Sequence, residues 1–201
     1  MLSKRPTFLP FLELIHFRNS TEPIRMEARH TGLLAPMPLA LKPRPRKRKL
    51  YVDLDGVLAD FDRGVHEALG VSPDSLHPRD MWPALARVPG GFFRTLAPMS
   101  DASLLWAHCN AFESVSILSG VPMGKWAEPQ KRLWCQDFLG LSGDRIIICL
   151  ARDKYKFCSP GAVLVDDRIT HQEAWECAGG TFILHVDAKT SITRLKELGF
   201  T

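Results

Sequence analysis

The sequence predicts an α/β fold, a parallel sheet flanked by helices, that begins near residue 50. Three observations support this. Short apolar runs recur at 50–54, 114–118, 145–149, 162–166 and 181–185, each the length of a buried strand. Helix-forming stretches lie between them, near 59–69, 102–112, 128–138, 169–178 and 190–198. An alternating βα rhythm implies parallel strands joined by crossover helices on both faces. The third observation is chemical. Charged and hydroxyl residues follow the apolar runs directly, and open α/β sheets build their sites at the carboxyl ends of strands.

The first run delivers two carboxylates two positions apart, Asp53 and Asp55, and then Gly56. Glycine permits a sharp turn at that point. Two carboxylates this close repel, and a bound cation relieves the repulsion. An Asp held beside Mg²⁺ can attack a phosphoryl group. An Asp-containing turn with no chemistry would present the same local pattern.

Residues 70–101 are too long for a simple crossover and contain Trp82, Pro83, Phe92 and Phe93. They read as aromatic and loop-rich, and connections of this length usually serve function. The second strand runs into Ser119-Gly120. A hydroxyl followed by glycine at a strand end can bind a phosphate oxygen, with backbone N–H groups assisting. Glu128 or Pro129 then opens a helix with Lys131 in its first turn. A cation there opposes the helix dipole unless it serves a nearby anion. The third strand ends in Arg152-Asp153-Lys154. Arginine binds phosphate as a fork and lysine as a point charge. The fourth ends in Asp166-Asp167, hard oxygen ligands suited to Mg²⁺, although Asp167 could also cap the following helix. Gly179-Gly180 precede the fifth strand. The histidines receive no chemical role.

The segment Asp53-Leu54-Asp55-Gly56-Val57 resembles motif I of the haloacid dehalogenase (HAD) superfamily, DxDGV. Its extension from Asp55 to Phe61 resembles the 5'(3')-deoxyribonucleotidase branch. Ser119, Lys131 and the Asp166-Asp167 pair fall in the order of motifs II, III and IV. The stretch from Gly90 to Met99 and the Arg152-Asp153-Lys154 triplet are similar to that branch as well. Ser119-Gly120-Val121-Pro122 departs from the usual Thr-Ser-Pro. The resemblance implies a Rossmann-like, HAD-like domain over 50–201, with a small helical cap at about 62–105. It implies Mg²⁺ held by the Asp53 carboxylate, the Asp55 carbonyl, and Asp166 or Asp167. Asp53 would be the nucleophile and Asp55 the general acid and base. Ser119, Gly120, Lys131, Arg152 and Lys154 would bind phosphate, and Phe61, Trp82 and Phe93 would line a nucleoside pocket. The implied substrate is a nucleoside monophosphate. Alternatives are another small phosphate ester, such as a sugar phosphate, and a non-catalytic binding protein. A homodimer would suit a small-cap member.

Composition adds bounds. The 201 residues suffice for one domain with a sizeable core. No apolar run approaches the ~20 residues of a membrane helix. Five scattered cysteines without a CxxC pair argue against zinc and a disulfide framework. They point to a reducing cytoplasm. The net charge of +4 is unevenly distributed. Residues 1–49 hold 11 Lys/Arg against 3 Asp/Glu, whereas the remainder holds 15 against 19. The basic, proline-rich extension therefore reads as disordered, with nucleic-acid contact open to it. The mildly acidic body does not read as a nucleic-acid binder.

Overall fold

The computed structural model describes residues 48–201. Apart from Arg48 and Lys49, the expectations for the basic extension lie outside the described residues. Five strands form a fully parallel sheet: β1 (Leu50–Val52), β2 (Val115–Val121), β3 (Ile146–Leu150), β4 (Val163–Asp166) and β5 (Thr181–Leu184). Their spatial order is β3-β2-β1-β4-β5. Six α-helices accompany them: α1 (Phe61–Leu69), α2 (Pro78–Leu85), α3 (Ala102–Asn110), α4 (Ala127–Leu139), α5 (Gln172–Cys177) and α6 (Ala188–Glu197). No described helix is long and apolar enough to cross a membrane.

Strand alternation sorts the apolar side chains between two faces. Leu50, Val52, Val115, Ile117, Val163, Val165 and Ile183 join one large core with Leu105, Trp134 and Leu195 from α3, α4 and α6. Tyr51, Leu118, Leu164 and Phe182 point the other way and pack around Trp175 of α5. Both faces are thus covered, as near-continuous apolar strands require.

Three boundaries differ from the sequence reading. First, β2 runs on to Val121, so Ser119 and Gly120 lie within the strand and pair with Ile148 and Cys149 of β3. Gly120 is needed there because a Cβ would come within 2.9 Å of the Ala151 Cβ. Second, the interval read as loop-rich contains α2. Pro78 occupies its first turn, where a missing N–H costs nothing, and the His77 ring accepts a bond from the Arg79 N–H at 3.1 Å. Third, α5 is only six residues long and follows a short 3₁₀ turn at Ile169–His171.

The segment after α2 is pinned to the body by hydrogen bonds. The Phe93 N–H donates to Gln130 Oε1 at 3.0 Å, and the Trp134 indole donates to the Leu96 carbonyl at 2.8 Å. The Met99 N–H donates to the Leu58 carbonyl at 2.9 Å. The next helix, α3, packs on α6.

His185, just beyond β5, is buried, with Nδ1 2.8 Å from Ser191 Oγ. Burial lowers its pKa, against a smaller opposing pull from Asp101 and Asp187. The native ring therefore stays neutral where the unfolded chain, with a pKa of about 6.5, takes up a proton. This contribution to stability is present above about pH 6.5 and is lost as pH falls toward the native pKa. Thermal unfolding at pH 7.5 and 5.5 should show a larger loss for the wild type than for His185→Gln. Equal losses would mean that the native ring protonates freely.

Candidate active site

The strand order reverses at the centre of the sheet. From β1 the chain moves outward to β2 and β3, then returns to the opposite side of β1 as β4. Such a switch point opens a crevice at the carboxyl ends of the two central strands. Val52 pairs with Val165, and the Asp53 N–H donates to the Val165 carbonyl at 2.9 Å. This register brings Asp53, just past β1, alongside Asp166, the last residue of β4. The chain then folds tightly: the Leu58 and Ala59 N–H groups both donate to the Leu54 carbonyl at 2.8 Å. Gly56 sits in this loop with φ +71°, and a Cβ there would collide with the Asp167 carboxylate. Only glycine satisfies both demands.

Two buried lysines meet these acids. Lys154 Nζ lies 2.6 Å from Asp166 Oδ2 and 2.9 Å from Asp53 Oδ2. Lys131 Nζ lies 2.5 Å from Asp55 Oδ2 and donates to Ser119 Oγ at 2.9 Å and the Gly120 carbonyl at 2.7 Å. It also sits 4.5 Å from the centre of the Phe93 ring, a cation–π distance. Lys131 is buried because it falls on the inward stripe of α4 with Ala127, Trp134 and Cys135.

The two aspartates of the first loop are driven apart in acidity. Burial alone would raise the Asp53 carboxyl, but Lys154 and Lys131 outweigh it and hold the group below its usual range. At Asp55, burial prevails over Lys131, with the Asp53 charge adding to the rise. Asp166 is raised by burial and by Asp53, partly offset by Lys154. Asp167 is pushed up to about 7 by burial and the neighbouring Asp53 and Asp166 charges. Burial opposes the charge on Lys154, yet Asp53 and Asp166 raise its pKa above the usual value.

The donor set fits a divalent cation. Carboxylate oxygens of Asp53, Asp166 and Asp167 lie within 4.8 Å of one another. Asp53 Oδ1 and Asp167 Oδ1 are buried without a hydrogen-bond partner, a costly arrangement unless something binds them. Oxygen donors of this kind suit Mg²⁺ or Ca²⁺. The Asp55 carboxylate is not in this group.

A cleft of about 220 Å³ opens above the acids. Of the residues expected to form a site, Asp53, Asp55, Gly120, Lys154, Trp82 and Phe93 line it. Ser119 lies beneath, bound to Lys131. Lys154 is the cation in contact with Asp53, and Lys131 meets Asp55. Two expectations need correction. Arg152 is exposed and lines a neighbouring groove instead of this cleft. Residues 151–157 form a 3₁₀ turn. With three residues per turn, Ala151 and Lys154 share a face while Arg152 points elsewhere. Phe61 is buried against Trp82, Phe92 and Phe93, so it backs the cleft rather than lining it. Sequence reasoning also missed Arg168 and His171 in the lining. Arg168 follows the acidic pair directly, which was a usable signal. Nothing local marked His171.

No family model matches the chain. The chain is 28% identical over 122 residues to a protein of Vibrio phage KVP40 named "Putative 5'(3')-deoxyribonucleotidase". The match covers 59% of this chain and 65% of the phage protein, just under two thirds of the latter's length. A solved hydrolase from Streptococcus pneumoniae TIGR4 aligns with 14% identity and TM-score 0.45, over 74% of this chain and 98% of its own. The HAD domain of the Legionella pneumophila effector Lem4 aligns with 16% identity and TM-score 0.43, over 76% and 94%. A HAD family hydrolase from Deinococcus radiodurans R1, solved with phosphate and sodium bound, aligns with 14% identity and TM-score 0.43, over 75% and 87%. The architecture of this chain is a Rossmann-like, fully parallel five-stranded sheet flanked by helices. Its sequence is similar to the phage protein just described.

Two outcomes test the centre. Without divalent cation, Lys154→Met should destabilise the protein by about 3–5 kcal/mol in chemical denaturation, because two buried carboxylates lose their partner. A change below 1 kcal/mol would show that the acids protonate without penalty. Mg²⁺ at a hundred times its Kd should stabilise the wild type by about 2.7 kcal/mol, and Asp167→Asn should lose most of that gain. An undiminished gain would place the ion elsewhere.

Proposed function

We propose that this protein is a Mg²⁺-dependent phosphomonoesterase of (deoxy)nucleoside monophosphates, acting through an aspartyl-phosphate on Asp53. The observation that carries the reading is the placement of two aspartates in one cleft, Asp53 bridged to Lys154 at 2.9 Å and grouped with Asp166 and Asp167, and Asp55 two residues on and outside that group. Asp53 is held ionised by Lys154, and Asp55 is held toward its protonated form by burial. A nucleophile and a general acid need this division. The similarity to the phage deoxyribonucleotidase supports the substrate class.

Asp53 attacks phosphorus in line with the ester oxygen. The P–O ester bond breaks as the Asp53 O–P bond forms, and Asp55 delivers its proton to the departing oxygen. Asp55, now a carboxylate, takes a proton from the water that hydrolyses the aspartyl-phosphate, which frees phosphate and restores both residues. Lys131, 2.5 Å from Asp55 Oδ2, favours the anionic form of Asp55 after proton transfer. Lys154 and Arg168 flank the cleft as cations for the transferring phosphoryl oxygens. The ion, held by Asp53, the Asp55 carbonyl and Asp166 or Asp167, would neutralise phosphate charge and so let two anions approach. The segment at 62–105 would act as a cap, presenting Trp82 and Phe93 to the base and excluding water.

Phosphate release should be measured across nucleoside monophosphates and sugar phosphates, with Mg²⁺ or EDTA. Mg²⁺-dependent release from nucleotides is expected, falling roughly a thousand-fold or more in Asp53→Asn. Release confined to sugar phosphates would keep the chemistry and exclude the nucleotide substrate. Release that survives Asp53→Asn would exclude the aspartyl-phosphate route.

A further inference from the structure

A groove of about 630 Å³ adjoins the acidic cleft. Trp82, Val121, Pro122 and Ala151 line both, so the two spaces are continuous along one wall. The volume lies within the roughly 300–1,000 Å³ typical of small-molecule sites. Beyond the shared wall, the groove is bounded by the Trp126 indole and by Arg79 and Arg152.

These two arginines are not among those paired with an acid. Arg63, Arg94, Arg132 and Arg194 each face a carboxylate. Among the described residues, neither Arg79 nor Arg152 has a carboxylate at salt-bridge distance. Two unneutralised guanidinium groups beside apolar aromatic walls are suited to a ligand that is flat at one end and anionic at the other. The anion of a monophosphate would already be committed to the acidic cleft, beside Lys154. That substrate leaves nothing for the two arginines.

We propose that the groove receives the nucleoside of the substrate and that Arg79 and Arg152 bind a second phosphate on it. The preferred substrate class is then a nucleotide phosphorylated at both ends of its sugar. The second phosphate could be a monoester, as in a nucleoside bisphosphate, or a diester, as at the end of a nucleic acid. The chemistry recognised is the same. This inference rests on the phosphomonoesterase reading for turnover, but its binding component can be measured separately.

Binding is read by tryptophan fluorescence in Asp53→Asn, since Trp82 and Trp126 border the groove. The probes are thymidine 5'-monophosphate, thymidine 3',5'-bisphosphate and 5'-phosphorylated dithymidine, each with Mg²⁺. The bisphosphate should bind at least ten-fold more tightly than the monophosphate, and Arg79→Ala and Arg152→Ala should each remove most of that advantage. The kcat/KM ratio of the two substrates, measured with an intact Asp53, should shift in parallel. An advantage for the dinucleotide as well would support the inference with a nucleic-acid end as the source. An advantage confined to the bisphosphate would support it with a free nucleotide as the source. Equal affinity for mono- and bisphosphate, or an advantage that both arginine variants retain, would overturn it. Selective bisphosphate binding without phosphate release from any ester, p-nitrophenyl phosphate included, would leave the groove assignment standing and defeat the phosphomonoesterase reading.

Discussion

The ammonium of Lys154, lodged between Asp53 and Asp166, is the contact on which the centre depends. Parallel pairing of β1 with β4 forces the two carboxylates together at adjacent strand ends. In a buried setting their repulsion would otherwise drive one of them to protonate. The lysine holds the Asp53 carboxyl below its usual range against the opposing effect of burial. Asp167 lies outside this bridge, and its carboxyl rises to about 7. It is the member of the cluster with most to gain from a cation.

A second layer of contacts gives the cleft its shape. Phe61, Trp82, Phe92, Phe93 and Trp126 form a connected set of ring contacts. Gln130 and Trp134 of α4 bind the backbone of the same segment. The helix that supplies Lys131 therefore also anchors the aromatic wall above it. Gly91 makes room for this contact, since a Cβ there would come within 2.8 Å of the Gln130 side chain. Through these shared supports, a change in the aromatic wall would be felt at Lys131 and then at Asp55.

Much of this was legible along the chain. The five apolar runs appear as strands within a few residues of their expected bounds, because buried parallel strands need continuous apolar sequence. Asp53, Asp55, Asp166 and Asp167 stood out because each sits at or just past the end of such a run. Other features were hidden for definite reasons. Ser119 and Gly120 lie inside β2 because Gly120 lets the next segment pack against the strand, a benefit visible only once Ala151 is in place. Helix α2 was obscured by Trp82 and Pro83, whose local preferences suggested a loop. The roles of neighbouring cations could not be sorted from their order. Arg152 and Lys154 are two positions apart, yet a 3₁₀ turn sends one to the cleft and the other to the adjoining groove.

The sequence by itself determined the class of fold, the order of the strand-end groups and the identity of the acidic residues. Those follow from hydrophobic periodicity and residue type, which are local properties. The tertiary structure decided which cation meets which carboxylate, which aspartate has its pKa lowered and which raised, and that Arg168 and His171 enter the cleft. These depend on through-space distance and burial between residues as far apart as Asp53 and Lys154. Such terms have no counterpart in the spacing of a linear chain.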